Sequence, residues 1–279
     1  MSTIFDDRRC TLGEGPLWHP ERGQLFWFDI LNRQLLSRDE TGPQVWQFDE
    51  YVSAAGWVSR TELLIASQTR LFLFDLETET SRTICELEAD NGVTRSNDGR
   101  ADPKGGFWIG TMGIDAEPGA GAIYRFYKGE LRRLFGDITI SNAICFSPDG
   151  ATACFADTAT QVIRKVRLDA DGWPAGEPSA FIDLRKDDLN PDGAVIDSEG
   201  HLWNAEWGAG RLARYAPDGS LVSRISLPAL QVTCPAFGGP DLRTLYATSA
   251  AIDLDGEDDG RTFAIEIDTP GRSEPRVEL

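Results

Sequence analysis

The chain has 279 residues, of which 45 are acidic and 27 basic, for a net charge of −18. A surface this acidic repels nucleic-acid phosphates and anionic membranes, so neither is expected as a partner, whereas an acidic cleft concentrates cations. No run is apolar for long enough to span a bilayer, and residues 1–10 hold Asp6, Asp7, Arg8 and Arg9 without an apolar core, unlike a secretory leader.

Taken in chain order, one unit recurs at roughly 40 to 50 residues, a spacing typical of propeller blades. Each copy has a short strand, a Gly/Pro turn and a second apolar strand. The first runs from Glu14 through a turn at 20–23 to Leu25-Phe26-Trp27-Phe28. The second runs from Ala54 through Arg60 to Leu63-Leu64-Ile65-Ala66, and the third from Asn97 through Asp102-Pro103-Lys104-Gly105-Gly106 to Phe107-Trp108-Ile109-Gly110. The fourth runs from Asn142 through 148–150 to Ala153, the fifth from Asp192 through 197–200 to Leu202, and the sixth from Thr233 through 239–242 to Leu245. Further alternating runs follow most copies, such as Leu71-Phe72-Leu73-Phe74 and Ala122-Ile123-Tyr124-Arg125-Phe126. Residues 77–88 are charged enough to suggest a helix, but their threonines and hairpin setting favour strands. The pattern predicts an all-β, six-bladed β-propeller with four antiparallel strands per blade; a tandem pair of β-sandwiches would not explain the repeat. No linker interrupts it, so residues 1–279 are expected to form a single domain, monomeric or weakly homo-oligomeric. The run 261–267 is expected to pair with the N-terminal region and close the ring.

Aligning the units at their turns exposes one equivalent slot, just before or at the first residue of each inner strand. It holds Glu14, Ala54 or Ala55, Asn97, Asn142, Asp192, and Thr233 or Cys234. The offsets from Asn97 to Gly105 and Trp108 equal those from Asp192 to Gly200 and Trp203. Inner strands line a propeller's channel, so Glu14, Asn97, Asn142 and Asp192 would direct oxygen atoms at one axis. Such oxygens are hard ligands suited to Ca²⁺, Mg²⁺ or Mn²⁺, and a divalent ion offsets the repulsion between two carboxylates. The competing reading makes them turn and strand-cap groups solvated in a wet channel.

Gly13-Glu14-Gly15-Pro16 with Trp18, residues 95–112, Ser141-Asn142 with Ser147-Pro148-Asp149-Gly150, Pro191-Asp192-Gly193 with Leu202-Trp203, and Ala236-Phe237-Gly238-Gly239 with Leu245-Tyr246 appear in order along the chain. Together they resemble the regucalcin / gluconolactonase family of lactone hydrolases. The resemblance implies a divalent cation, with Ca²⁺ favoured over Zn²⁺, Fe²⁺, Mg²⁺ or Mn²⁺, held by Glu14, Asn142 and Asp192. It makes Asp192 both ligand and proton donor/acceptor, Arg95 and Asn97 the substrate-binding pair, and a small sugar lactone the substrate. The family's acidic hydroxyl ligand falls in the loop 113–121, where Asp115 fits best by position and Glu117 competes. Asp98 is expected to orient Arg95 or the ring. Ala143 departs from the glycine common after the asparagine and would narrow the mouth. Two other readings are a calcium-dependent organophosphate or ester hydrolase of similar fold and a propeller that binds cations without turnover.

Several features are read as bystanders. His19 and His201 lie in or beside turns and are assigned surface or packing roles. Trp27, Trp57, Trp108 and Trp203 are assigned to blade cores, and Trp207 to the pocket wall. No G-x-S-x-G elbow accompanies Ser96 or Ser141. The acidic run 253–260 lacks EF-hand spacing and is read as a solvated turn. The five cysteines are scattered, with no C-x-x-C, as expected of reduced thiols in a cytoplasmic protein. A nucleophilic Cys145 or Cys234 would need a base that no residue nearby in sequence supplies.

Overall fold

The computed structural model describes residues 2–279, whose 24 strands form six four-stranded antiparallel sheets, the blades of a β-propeller. The inner strands are Gly13–His19, Val52–Trp57, Thr94–Ala101, Ser141–Phe146, Asn190–Ile196 and Gln231–Gly238. Each packs against the inner strand of the next blade, and the sixth against the first, so they enclose a central channel. Among the described residues the helical segments are two 3-10 turns, Thr158–Thr160 and Arg185–Asp187, and no helix is long and apolar enough to cross a membrane. The stretch 77–88 contains the strand Ser81–Glu86, as its threonines suggested.

Closure follows the expected route. Ser2–Asp6 pairs with Thr262–Glu266 and becomes the outermost strand of the sixth blade, so the N-terminus completes a sheet begun by the C-terminal third of the chain. The free sheet edges are thereby reduced to the outer strand of each blade. Between blades, alternating side chains interlock. Phe26, Phe28 and Leu35 of the first blade meet Leu63, Ile65 and Phe72 of the second in one buried cluster. Burying a side chain of this size contributes roughly 1.5–3 kcal/mol. Trp27, Trp108 and Trp203 are core residues as expected; Trp57 is only half-buried, because its indole N–H reaches out to the Glu274 carbonyl at 2.8 Å.

The matched offsets of the third and fifth blades have a chemical origin. Asp102 Oδ1 accepts from the amides of Lys104 and Gly106, and Asp197 Oδ1 accepts from those of Glu199 and His201, closing the same turn twice. The second oxygen of each binds an arginine: Arg125 Nε at 2.6 Å for Asp102, Arg214 Nη2 at 2.7 Å for Asp197. His201 therefore lies beside a structural ion pair. His19 is fully buried, with Nε2 2.9 Å from the Ser59 carbonyl.

Every inner strand carries a register shift near its start: Glu14/Leu17, Val52/Ala54, Ser96/Gly99, Asn142/Cys145, Pro191/Ala194 and Val232/Pro235. The equivalent slot is thus not a strand-entry position but a bulge inside the strand. An extra residue there breaks the alternation and re-aims side chains at the channel axis.

The far end of the channel is closed by the C-terminal segment 270–279. Its backbone bonds to blades in turn: Pro270 accepts from Ser198, Gly271 donates to Leu242, Val277 to Trp57 and Glu278 to Gly105. Arg272 reaches the Ser147 carbonyl at 3.2 Å. The segment so spans blades two to six, and Glu274 enters the channel to pair with buried Arg100.

Candidate active site

At the bulged end of the channel lies a cavity of about 260 Å³. Its polar lining is Glu14, Arg95, Asn97, Asn142, Thr158 and Asp192. Five of the predicted site residues are therefore brought together from blades one, three, four and five. Blades two and six supply no polar lining group from their inner strands; Ser53, beside the blade-two slot, and Thr233, in the blade-six slot, latch the ring instead. Ser53 Oγ donates to Ser96 Oγ at 2.8 Å, and Thr233 Oγ1 to the Gly13 carbonyl at 2.6 Å.

Glu14, Asn142 and Asp192 are 4%, 3% and 5% exposed. Both carboxyl groups line the same cavity, and Glu14 Oε2 accepts the Gly15 amide at 2.8 Å. Burial, then the neighbouring Asp98 charge, pushes Glu14 up to about 8; burial, then Glu14 itself, pushes Asp192 well above the ordinary carboxyl range. Two buried acids set against each other are unstable as carboxylates; the Arg95 charge offsets part of this for Glu14, and a divalent cation between the acids would offset more. Asn142 completes the set. Its Nδ2 donates to Thr158 Oγ1 at 2.8 Å, which leaves Oδ1 on the side of Asn97 Nδ2, 3.3 Å away, and the cavity. Among the described residues no three or more His, Cys, Asp or Glu side chains are placed together to hold a metal ion; beside the two carboxylates the set offers the amide oxygen of Asn142. Hard oxygens only, two of them anionic, fit a divalent cation of the Ca²⁺ or Mg²⁺ type.

Arg95 is not a surface ion-pair member. It is buried, its Nη1 donates to the Ser96 carbonyl and to Asn97 Oδ1 at 2.7 Å, and its Nε has no protein partner. Burial draws its pKa down to about 10, so the guanidinium is still cationic near neutrality. Asn97 in turn donates from Nδ2 to the Ser141 carbonyl at 2.9 Å. Asp98 holds the ring rather than Arg95: its Oδ2 accepts the Ile144 amide of the next blade at 2.7 Å, and burial pushes it up to about 6.

Two expectations are corrected. The structure does not bring Asp115 to the cavity. It is exposed on the loop beyond Phe107–Gly113, and its amide donates to Glu117 Oε2 at 3.1 Å, so neither acid lines the pocket. Ala143 does not narrow the mouth either; it is fully buried in the cluster between blades four and five. Its φ of 56° accounts for the glycine expected there. Cys145 and Cys234 are also buried, with thiols pushed well above their ordinary range, which leaves no thiolate. Thr158 was missed: it enters from a 3-10 turn outside the repeat and carries no motif. Its hydroxyl accepts from Asn142 and donates to the Pro191 carbonyl at 2.7 Å, so it ties the strands that carry Asn142 and Asp192.

The model of the SMP-30/gluconolactonase/LRE-like region matches residues 12–251. The chain belongs to that family. It is 34% identical over 273 residues to a 6-deoxy-6-sulfogluconolactonase of Pseudomonas putida, covering 95% of this chain and 94% of that one. It is 36% identical over 264 residues to an L-arabinolactonase of Azospirillum brasilense, covering 91% and 86%. The crystal structure of a calcium-binding protein, regucalcin, from Agrobacterium tumefaciens str. C58 superposes with a TM-score of 0.97 at 43% identity, covering 100% of this chain and 98% of that one. Family membership thus agrees with the six-bladed architecture and with the resemblance carried by the motifs.

Proposed function

We propose that the protein is a divalent-cation-dependent hydrolase that opens a sugar lactone to the corresponding sugar acid. The observation that carries this is the convergence of Glu14, Asn142 and Asp192, from three blades, on a cavity that also holds Arg95 and Asn97. Its family relatives, named as lactonases of gluconic- and arabinonic-type substrates, support it. Glu14, Asn142 and Asp192 hold the cation, with Ca²⁺ favoured by the donor set and by the calcium-binding relative. A bound divalent ion supplies Lewis-acid polarisation of an ester carbonyl and stabilises charge on its oxygen.

The chain's own residues do the rest. Asp192 accepts the proton of the attacking water and returns it to the ring oxygen as the C–O bond breaks, which conserves the proton over the cycle. Arg95, fixed by Asn97 and by its own backbone contact, presents unsatisfied N–H groups to substrate oxygens. Buried walls restrict competing water. A pH-stat assay over a panel of aldonolactones, after chelation and after each metal is restored, tests this. Turnover that survives thorough chelation would remove the cation from the mechanism. Asp192→Asn is expected to lower kcat by at least 10²-fold, in the range of general acid–base contributions, while the fold is kept; full activity in that variant would remove Asp192 as proton carrier.

A further inference from the structure

The cavity has two layers. The polar groups form its floor. Above them the lining is Leu12, Met112, Ile140, Trp207 and Ile252, apolar apart from the indole N–H of Trp207. The layering follows from strand geometry, since side chains two apart share a face. Leu12 precedes Glu14, and Ile140 precedes Asn142, by one such step towards the mouth. Met112 lies directly across from Arg95 in the adjacent strand. Trp207 pairs with Asn190, one step outward from Asp192. Exposure separates part of the rim from the floor: Ile140, Trp207 and Ile252 are partly exposed, whereas Leu12 and Met112 are buried like the floor groups beneath them. The floor can bind the ester and the hydroxyls beside it; the rim carries no charge, and Leu12, Ile140 and Ile252 offer no hydrogen bond to whatever projects outward along them, the indole N–H of Trp207 being the rim's one donor.

We infer that the preferred substrate is a deoxy-aldonolactone, whose carbon farthest from the ester is a methyl group rather than a hydroxymethyl. This rests on the lactonase reading above and narrows it. A methyl group gains apolar contact against the ring of Leu12, Ile140 and Ile252. A hydroxymethyl in the same place gives up water on the side that faces these three side chains and receives no partner from them, and a charged substituent does worse. An apolar pocket distinguishes a hydroxyl-bearing analogue by on the order of 10- to 100-fold, so that is the size of preference expected.

The test uses the full chain loaded with the metal that gives most activity. It compares kcat/KM within pairs that differ by one hydroxyl: L-rhamnono- against L-mannono-1,4-lactone, L-fucono- against L-galactono-1,4-lactone, and D-fucono- against D-galactono-1,4-lactone. The deoxy member is expected to be favoured by about 10-fold or more, chiefly through KM. Equal or better use of the hydroxymethyl member in every pair accepted, or turnover of hydroxymethyl lactones only, overturns the inference and leaves the lactonase reading standing. Failure to hydrolyse any lactone, with metal bound, overturns that reading and the inference with it. Ile140→Gln and Ile252→Gln are expected to bring the preference within about threefold by giving the hydroxyl a partner. Full preference retained in both variants shows that the rim does not set it.

Discussion

At the residue scale, the site is a pair of acids that the fold keeps dry. The sign of the resulting pH dependence is fixed by proton counting. Glu14 has its pKa raised from 4.5 to about 8 on folding, so between those values the folded chain holds a proton that the unfolded chain has lost. Stability of the cation-free protein therefore falls as pH rises through that window, and Asp192, shifted the same way, steepens the fall. A divalent cation replaces those protons. Thermal melts in chelator are expected to show a lower Tm near pH 8 than near pH 5 from this contribution, and added Ca²⁺ is expected to raise Tm more at the higher pH. A cation-induced shift of the same size at both pH values would contradict the assignment of Glu14 and Asp192 as ligands. Thr158 gives a second prediction. Without its hydroxyl, Asn142 Nδ2 loses its acceptor and the amide is free to turn its NH₂ to the cation. Thr158→Val is expected to weaken Ca²⁺ binding by about 10- to 100-fold in calorimetry, as loss of a ligand's supporting hydrogen bond does. Thr158→Ser, which keeps the hydroxyl, is expected to restore it; a serine variant as weak as the valine one would point to packing instead.

At the element scale, the decisive feature is the bulge repeated in all six inner strands. The composition of each bulge reports its surroundings. Gly15 and Ala143 occupy the same place, after Glu14 and Asn142, with φ of 53° and 56°. A β-carbon on Gly15 would lie 2.2 Å from the Ser53 carbonyl oxygen, whereas that of Ala143 packs into an apolar cluster. Alanine is thus tolerated at one bulge and excluded at the other. Gly15→Ala is expected to cost about 2–4 kcal/mol, the sum of left-handed backbone strain and overpacking. Urea denaturation measures this, and a loss below about 1 kcal/mol would mean that the first blade can shift to admit the methyl. The turn clamps of Asp102 and Asp197 were visible in the sequence as equal offsets, because a carboxylate that closes a turn must sit at a fixed distance from its glycine. The bulges were not visible. A bulge is a two-against-one relation between strands, and the strand carrying it has no composition of its own.

At the scale of the whole molecule, one end of the channel is open and reactive and the other is sealed. The segment 270–279 bonds to five blades, and Glu274 neutralises Arg100 inside the channel. Removing one partner of a buried pair leaves an uncompensated charge, so Glu274→Ala is expected to destabilise the protein by about 3–5 kcal/mol. A shift in the urea midpoint worth less than about 1 kcal/mol would show that Arg100 finds water or another partner there. The same variant leaves the floor of the reactive end untouched, so residual folded protein is expected to keep its cation affinity.

What the sequence settled by itself was whatever is encoded locally or periodically. The repeat gave six blades of four strands, the terminal run gave the closing strand, and the slot gave Glu14, Asn97, Asn142 and Asp192, because copies of one unit must place equivalent residues equivalently around a ring; Arg95 came from the family resemblance of its motif. What tertiary structure alone decided lies between copies: that Thr158 ties the fourth blade to the fifth, that Asp98 grips its neighbour rather than Arg95, that Asp115 stays outside the cavity, and that its rim is apolar. Those outcomes depend on distances across blade interfaces and on the path of irregular loops, and neither periodicity nor residue type fixes them until the ring has closed.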